Sequence, residues 1–554
     1  MLVRRNRILG ALVWGVAVAL AAVTPPVVVG VASATSYVDT LYAPASDTTV
    51  PESVRTAAPR YDPAKRTVAI LIGNHGANGG DVLPPYETFT ATGAFNVYTV
   101  SPDRRRVPLL GGLDLVPDFS LAELDERLAG RTPDIVVVPQ MPPAGSSMTV
   151  PVEDWLRRQA RGGALVLGVC AGAEVLASAG LLDGRNAASH WFKLRSLEKA
   201  YPDVKWQRAT RYVDDGDIVT TGGVLAGIDG SLRVIERVLD SRAAAAAADA
   251  VGWRHYSPGR PAPLPRSTFG LPDTIAGVNL TFRPRPTLGV VLTNGVGEIE
   301  LASVFAAYTE AAYAARTRAL GAGSTAAVLS RHGMVFVPRG DAFATRGLDR
   351  LVVPGAATAQ NQRAALDTMA ARTWPSIVVE YPHAEPGFAF DPVLRGMART
   401  IDVPTARWRA KTLEYPASDL SGLQGPGWPW VATLLPLLYA LGGATALIAA
   451  RRSVVAGLRR RRARRSRRDG PAARVARTHG VFAPCAVLSR DVRSAPRARA
   501  VGTGRHPATG RRLGGWVPGS SWRTTRACTA GRWSQSWSWR TTSRSSPRSR
   551  PVTG

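Results

Sequence analysis

Gly163–Gly180 reads GALVLGVCAGAEVLASAG. A short, continuously apolar run (Ala164–Val169) delivers Cys170 into Ala171-Gly172-Ala173, where a helical pattern begins and continues to Gly180. An apolar run of this length suits a doubly covered strand. Gly180 suits the residue just past a helix end. A tight strand-to-helix turn crowds any side chain, so the small residues after Cys170 are expected there. A helix N-terminus offers free N–H groups and a dipole that favour a thiolate, and the same N–H groups can hold an oxyanion. On residue type alone, a lone cysteine after an apolar strand is also an ordinary core residue.

The same alternation extends on both sides. Thr67–Ile72 (TVAILI), Phe95–Val100, Asp134–Pro139, Arg211–Val213 and Asp217–Thr221 read as strands. Helices are expected from near Val82, over Val152–Arg161 and through Ser231–Leu239. This pattern predicts an α/β sandwich around a mostly parallel sheet. After an alanine run (Ala243–Ala248) and a Pro-rich stretch (Pro258–Pro265) the pattern restarts. Gly289–Leu292 leading into Thr293-Asn294-Gly295 echoes Ile70–Ile72 leading into Gly73-Asn74-His75-Gly76. Leu351–Pro354 echoes Val136–Pro139, and Ile377–Glu380 echoes Leu165–Gly168. The expectation is a duplicated domain, with residues 66–250 as the first copy, 251–285 as linker and 286–415 as the second. Asn74-His75-Gly76 lacks dinucleotide-site spacing and reads as a turn.

Charge and hydropathy describe the ends. Residues 451–554 hold 26 Arg and two Asp, so +24 of the chain's +28 lies there, and residues 1–450 are nearly neutral. The basic pI therefore carries no argument for nucleic-acid binding by the folded body. Arg4, Arg5 and Arg7 precede an apolar run, and Ala32-Ser33-Ala34 resembles a cleavage site. Residues 1–34 read as a signal peptide or an uncleaved anchor, followed by a 35–65 linker. Trp428–Ala450 is uncharged, long enough to cross a bilayer, and followed by ten Arg in Arg451–Arg468. Both basic flanks lie at the chain's outer ends, which places the folded domains outside the cytoplasmic membrane and the 451–554 tail inside, with lipid contacted by the span and its Arg-rich flank. The tail shows no apolar periodicity and reads as disordered. Beyond about Ala483 its alphabet is that of an out-of-frame translation of GC-rich DNA, a hypothesis that the other two reading frames would test. Cys485 and Cys528 lie in the tail, so the body holds Cys170 alone, which excludes a Cys-ligated zinc site and an internal disulfide there. No motif points to a metal or cofactor.

The segment GVCAGAEVLASAGLLDGRNAASHW resembles the cysteine elbow of the ThiJ/PfpI (DJ-one) family, in the class I glutamine amidotransferase-like superfamily. VDDGDIVTTGGVLAGIDGSLRVIE resembles the branch found in the N-terminal half of AraC-type regulators and in isocyanide hydratases. The resemblance covers roughly Thr67 to Leu239. It implies a flavodoxin-like three-layer sandwich, and it places Cys170 as the reactive cysteine, Asp81 as the acid that hydrogen-bonds it and His190 as a nearby histidine. Residue type alone favours Asp81 as a helix N-cap before Val82, and His190 is equally a packed histidine beside Trp191. Ala171, Gly172, Gln140, Gly222 and Gly223 would line the pocket or oxyanion site, although Pro139-Gln140-Met141 stands where the family has Gly-Gly. The helix beginning at Ala171 and a proton shared with Asp81 are expected to lower the thiol pKa. In the second copy Glu300 falls at the acid's position, and Tyr381-Pro382-His383 replaces the cysteine.

These implications favour a cysteine-dependent hydrolase or hydratase acting on a small amide- or carbonyl-type substrate. The alternative is a ligand-binding or redox-sensing module with an inert or oxidisable cysteine. No nucleic-acid partner is expected, and the two copies should pair with each other, or the chain should form a homodimer.

Overall fold

A computed structural model describes residues 2–50, 52–55, 60–142, 144–261, 264–416 and 422–468. The tail from 469 to 554, with Cys485, Cys528 and the frameshift reading, lies outside the described residues.

The first half is built on a seven-stranded sheet. Its strands are β1 (Arg66–Leu71), β2 (Phe95–Ser101), β5 (Phe119–Ser120), β6 (Ile135–Val138), β7 (Leu165–Gly168), β8 (Tyr212–Asp215) and β9 (Ile218–Thr221), in the order β8-β9-β7-β6-β1-β2-β5. All neighbours pair in parallel except β8 with β9. Val68–Leu71 and the whole of β6 are fully buried, as the continuous β-branched runs require of a sheet covered on both faces. Helices at Gly79–Ala91, Val150–Arg161 and Ala226–Val238 supply that cover. A short antiparallel pair, β3 (Val107–Leu109) with β4 (Leu113–Val116), stands apart from this sheet.

The second half carries a four-stranded, all-parallel sheet. It comprises β10 (Thr287–Leu292), β11 (Arg316–Gly321), β14 (Arg350–Val352) and β15 (Val378–Glu380), in the order β11-β10-β14-β15. That order matches β2-β1-β6-β7 of the first half strand for strand, and β12 (Val328–Leu329) with β13 (Val335–Val337) occupies the chain position of β3 and β4. The two short pairs join edge to edge into one sheet, β12-β13-β4-β3, through antiparallel β13–β4 pairing. Asp114, fully buried on β4, accepts hydrogen bonds from Arg106 Nη2 (2.5 Å) and Arg339 Nη2 (2.5 Å), so one carboxylate is shared by a guanidinium from each half.

A second seam is helical. Gly79–Ala91 (α2) lies against Glu298–Tyr308 (α6), and Glu87 Oε2 accepts from the N–H of Ile299 at 2.6 Å.

Two helices exceed the body. Leu2–Leu41 (α1) runs unbroken through Ala32-Ser33-Ala34, so the expected cleavage site and the start of the expected linker are helical. Trp430–Arg468 (α8) extends the expected Trp428–Ala450 span into the arginine run. By length and apolar content both could cross a membrane. Its end residues also tie α1 to the body: Tyr37 is buried and its hydroxyl donates to Ala315 O at 2.9 Å.

Candidate functional site

Cys170 sits between β7 and the helix Gly172–Ser178 (α3), with φ of 56°. A left-handed conformation is uncommon for a residue with a side chain and marks a constrained turn. The turn is held from three sides. Cys170 N–H donates to Thr221 Oγ1 (3.2 Å), Ser189 Oγ donates to Cys170 O (3.0 Å), and Gly172 N–H donates to Val169 O (2.7 Å). A Cβ on Gly172 would lie 1.9 Å from Val138 O, so only glycine lets the turn seat against β6. The expected end of α3 is confirmed by Gly180, at φ of 71° two residues past Ser178.

Asp81 is the third residue of α2 and is fully buried. It is not the cap: Asn78 is, its Oδ1 accepting from Gly80 N–H at 3.0 Å. Asp81 Oδ2 accepts from Gln140 N–H at 3.0 Å, and Oδ1 has no hydrogen-bond partner. Burial first, then the charge of Glu310, holds this carboxyl well above the usual carboxylate range, against the pull of the Gln140 N–H and Arg409. The enclosure therefore favours the protonated acid. Burial likewise pushes the Cys170 thiol well up, with Asp81 and Glu310 acting in the same direction and only the Ala171 N–H opposing them. No hydrogen bond joins Asp81 to the sulfur among the described residues. The expected lowering of the thiol pKa by helix and acid is thus reversed, because desolvation of a wholly enclosed thiol outweighs one N–H.

The expected oxyanion donors are committed elsewhere. Gln140 N–H serves Asp81 and Gly172 N–H serves the turn, which leaves the Ala171 N–H on the sulfur. His190 caps the helix Trp191–Ala200 (α4), its Nδ1 accepting from Phe192 N–H, and its Nε2 lies 2.8 Å from Thr412 O. A carbonyl accepts only, so Nε2 carries the proton; burial lowers the ring's pKa, and His190 is a neutral positioning group, not a base beside the sulfur.

What closes the site comes from far along the chain. Glu310, just after α6, accepts from Asn78 Nδ2 (2.9 Å) and from Arg409 Nη2 (2.5 Å). Arg409 belongs to the helix Val403–Leu413 (α7), and Glu414, in a left-handed conformation at φ of 55°, follows it. A Cβ on Gly222 would lie 2.3 Å from Glu414 Oε2, and one on Gly223 2.9 Å from Glu414 Cγ. The two glycines therefore make room for this carboxyl rather than for a ligand. Burial raises Glu414 to about 7 despite the Gly223 N–H. Tyr42, beyond α1, is half-buried, and desolvation first, then the charges of Glu310, Asp81 and Cys170, pushes its hydroxyl pKa up. Asp81 Oδ1, Arg409 Nε and Glu414 Oε2 are buried without hydrogen-bond partners. Unpaired buried polar atoms are costly, and this site holds three. Sequence reading missed Glu310, Arg409, Glu414 and Tyr42. The one available signal was the set of four charged side chains, Arg407, Arg409, Lys411 and Glu414, in VPTARWRAKTLE.

In the second half, Glu300 is also the third residue of its helix, and it also accepts a backbone N–H from just after the third strand of its sheet, that of Ala356 at 2.7 Å. His383 stands after β15, where Cys170 stands after β7. Its Nδ1 accepts from Gly355 N–H (3.1 Å), and its Nε2 lies near Ser303 Oγ and Ala389 O. A cavity of 240 Å³ opens on this half and one of 640 Å³ lies between the halves, with Glu87 and Asp249 on one side and Glu300, Arg331 and His383 on the other; neither is lined by Cys170 or Asp81. Glu87, Glu298 and His332 bring three ligand-type atoms within 4.8 Å of one another. Those atoms already form a network: His332 Nδ1 to Glu298 Oε2 (2.8 Å) and Arg331 Nη1 to Glu87 Oε1 (3.0 Å).

Residues 66–237 match the DJ-1/PfpI family. Over 165 residues the chain is 30% identical to the isonitrile hydratase of Pseudomonas putida, covering 29% of this chain and 66% of that protein. Over 74 residues it is 45% identical to the HTH-type transcriptional regulator GlxA of Rhizobium meliloti, covering 13% of this chain and 22% of the regulator. A solved ThiJ/PfpI family protein from Pseudomonas syringae aligns with 39% of this chain and 85% of its own, at 22% identity and a TM-score of 0.29. The chain thus spans between about a fifth and two thirds of the length of these curated relatives.

Proposed function

We propose that the chain is a membrane-anchored, extracytoplasmic enzyme in which Cys170 attacks the carbon of a small, uncharged amide-, carbonyl- or isonitrile-type substrate. The observation that carries this reading is the buried Asp81 with one oxygen fixed by Gln140 N–H and the other unpartnered, in an enclosure that favours its protonated form and close enough to the thiol to act on it. In an enclosed site, separating charge is expensive. A neutral thiol and a neutral acid avoid that cost by moving two protons together. On an amide, sulfur bonds to the carbonyl carbon as the thiol proton passes to Asp81 and the Asp81 proton to the nitrogen, which leaves as the amine, and water hydrolyses the thioester to the acid and the free thiol. On an isonitrile, sulfur and the Asp81 proton both add to the terminal carbon, the thiol proton replaces that of Asp81, and water cleaves the thioimidate to the formamide and the free thiol. The many carboxyl groups around the site disfavour an anionic substrate.

The topology supports the rest of the reading. Two apolar helices with basic outer flanks favour a body outside the membrane and a tail inside. Shared strand order and the matching positions of Asp81 and Glu300 support a duplicated domain whose second copy serves as a tethered partner. That copy supplies Glu310, Arg409 and Glu414 to the first copy's site.

The test uses the full chain in membranes. Uncharged iodoacetamide should label Cys170 faster than iodoacetate does, and Cys170→Ser should lose turnover. Asp81→Asn still accepts the Gln140 N–H but has no proton to pass on, so turnover should fall by roughly 100-fold or more while labelling is not slowed. An Asp81→Asn protein that turns over like the wild type would sink the mechanism.

A further inference from the structure

On the body's surface, exposed large apolar side chains gather where α8 begins. Phe269 is 57% exposed, Phe192 44% and Leu271 87%. Phe192 and Phe269 pack edge-on against Trp408, with ring centroids 6.5 and 6.0 Å apart, and Trp191 does the same at 6.2 Å. Trp408 with Ile275 forms a small core against which Trp428 packs. Trp428 in turn donates from Nε1 to Thr433 Oγ1 (2.7 Å), within the first turn of α8. The aromatic cluster and the apolar helix are thus one continuous surface.

The other apolar helix reaches the same place. Leu271 leads into the helix Thr274–Thr281 (α5), and α1 packs on the far end of α5, where Gly30 lies close to Thr281 and Phe282. The two long helices also touch each other, since a Cβ on Gly443 would lie 2.0 Å from Ala21 O. Val31 and Trp430 are the exposed apolar residues nearest the body on each helix. At 1.5 Å per residue the rise from Val31 to Ala21 is about 15 Å, and from Trp430 to Gly443 about 20 Å. Half the hydrocarbon thickness is about 15 Å. The crossing therefore falls near mid-bilayer when Val31 and Trp430 stand at the interface, which is the level of the aromatic cluster.

We propose that Phe192, Phe269 and Leu271, backed by Trp191, Trp408 and Trp428, form a platform that lies in the interface of the bilayer, holding the body down on the lipid surface. Tryptophan and other amphipathic rings favour this depth. Arg195, Arg266 and Arg407 are exposed and adjoin these residues in sequence, where they would meet lipid phosphates. The proposal rests on the membrane-anchored reading above. It adds that the cysteine site is presented close to the membrane surface, since α7 carries Trp408 on the platform and Arg409 in the site.

The experiment places a nitrobenzoxadiazole label at position 271 (Leu271→Cys), 269 (Phe269→Cys), 441 (Leu441→Cys) or 329 (Leu329→Cys). The background is the full chain with Cys170, Cys485 and Cys528 replaced by Ser, reconstituted in phosphatidylcholine–phosphatidylglycerol vesicles. Doxyl lipids quench from the membrane, and iodide quenches from water. Labels at 271 and 269 should lose emission to a doxyl group near the headgroup, shift to the blue and resist iodide. The label at 441 should lose emission to a deep doxyl group, and that at 329, on β12, only to iodide. A label at 271 open to iodide, with 441 quenched by lipid, would overturn the platform and leave the anchor standing. Shielding at 271 from both quenchers would show a protein cover instead, and would also overturn it. Absence of lipid quenching at 441 would remove the anchor reading and the platform with it.

Discussion

Replacing Glu414 by Gln should change how often Cys170 meets solvent, and the change should depend on pH. Glu414 is enclosed against Gly222 and Gly223, and its carboxyl is raised from 4.5 to about 7, chiefly by burial. When the site opens, the carboxyl returns to water and to its ordinary pKa. A folded-state pKa above the unfolded one means that the closed state binds the extra proton. The stability Glu414 lends to closure is therefore fully present below pH 4.5 and lost as pH rises through 7. The shift of 4.5 to about 7 corresponds to roughly 3 kcal/mol, or about 300-fold in the opening equilibrium. Gln keeps the shape and the neutral charge of the closed form at every pH, with the same strain at φ of 55°.

Alkylation of Cys170 by iodoacetamide reads this opening, with Cys485 and Cys528 replaced by Ser so that one thiol reports. Thiolate formation raises both rates with pH, and Asp81 titrates in both proteins, so these effects cancel in the ratio of wild type to Glu414→Gln. That ratio should lie near its low-pH value at pH 4.5 and climb by about two orders of magnitude by pH 8. A ratio flat across this range would show that Glu414 is not enclosed as described, or that opening does not move it.

Two further substitutions test the architecture. Gly172→Ala forces a Cβ to within 1.9 Å of Val138 O, a backbone atom on a fully buried strand, so the protein should lose several kcal/mol of stability and the Cys170 turn; a melting temperature equal to wild type would refute the close approach. Asp114→Asn removes the one charge that faces both Arg106 and Arg339 at the shared β13–β4 edge, which should cost about 3–5 kcal/mol. Limited proteolysis of that variant should then release the two halves, and a digestion pattern unchanged from wild type would count against the joint.

The readable parts of this chain were those whose physics is local. The run TVAILI announced β1 because six apolar, largely β-branched residues in a row can only be satisfied between two covering layers. Small residues after Cys170 announced the turn, and Glu300 keeps the place of Asp81 in the second half, each the third residue of the helix that follows its first strand. Asp81 was harder. Its position three residues into a helix fits a cap or a buried acid, and only Asn78, which takes the capping role, decides between them. The cysteine's environment was not local at all. Glu310, Arg409 and Glu414 lie more than a hundred residues beyond Cys170 and reach it because two half-molecules share a sheet edge and a helix seam. The effect of burial and of the two glutamates is also opposite in sign to what the turn alone suggests: the N–H at a helix start stabilises a thiolate, but enclosure by acids and by dry protein stabilises the thiol more. A site of this kind is chemically quiet while closed. Two of its unpaired polar atoms are carboxyl oxygens, of Asp81 and Glu414, so opening the site to water would relieve both at the moment that it uncovers the thiol.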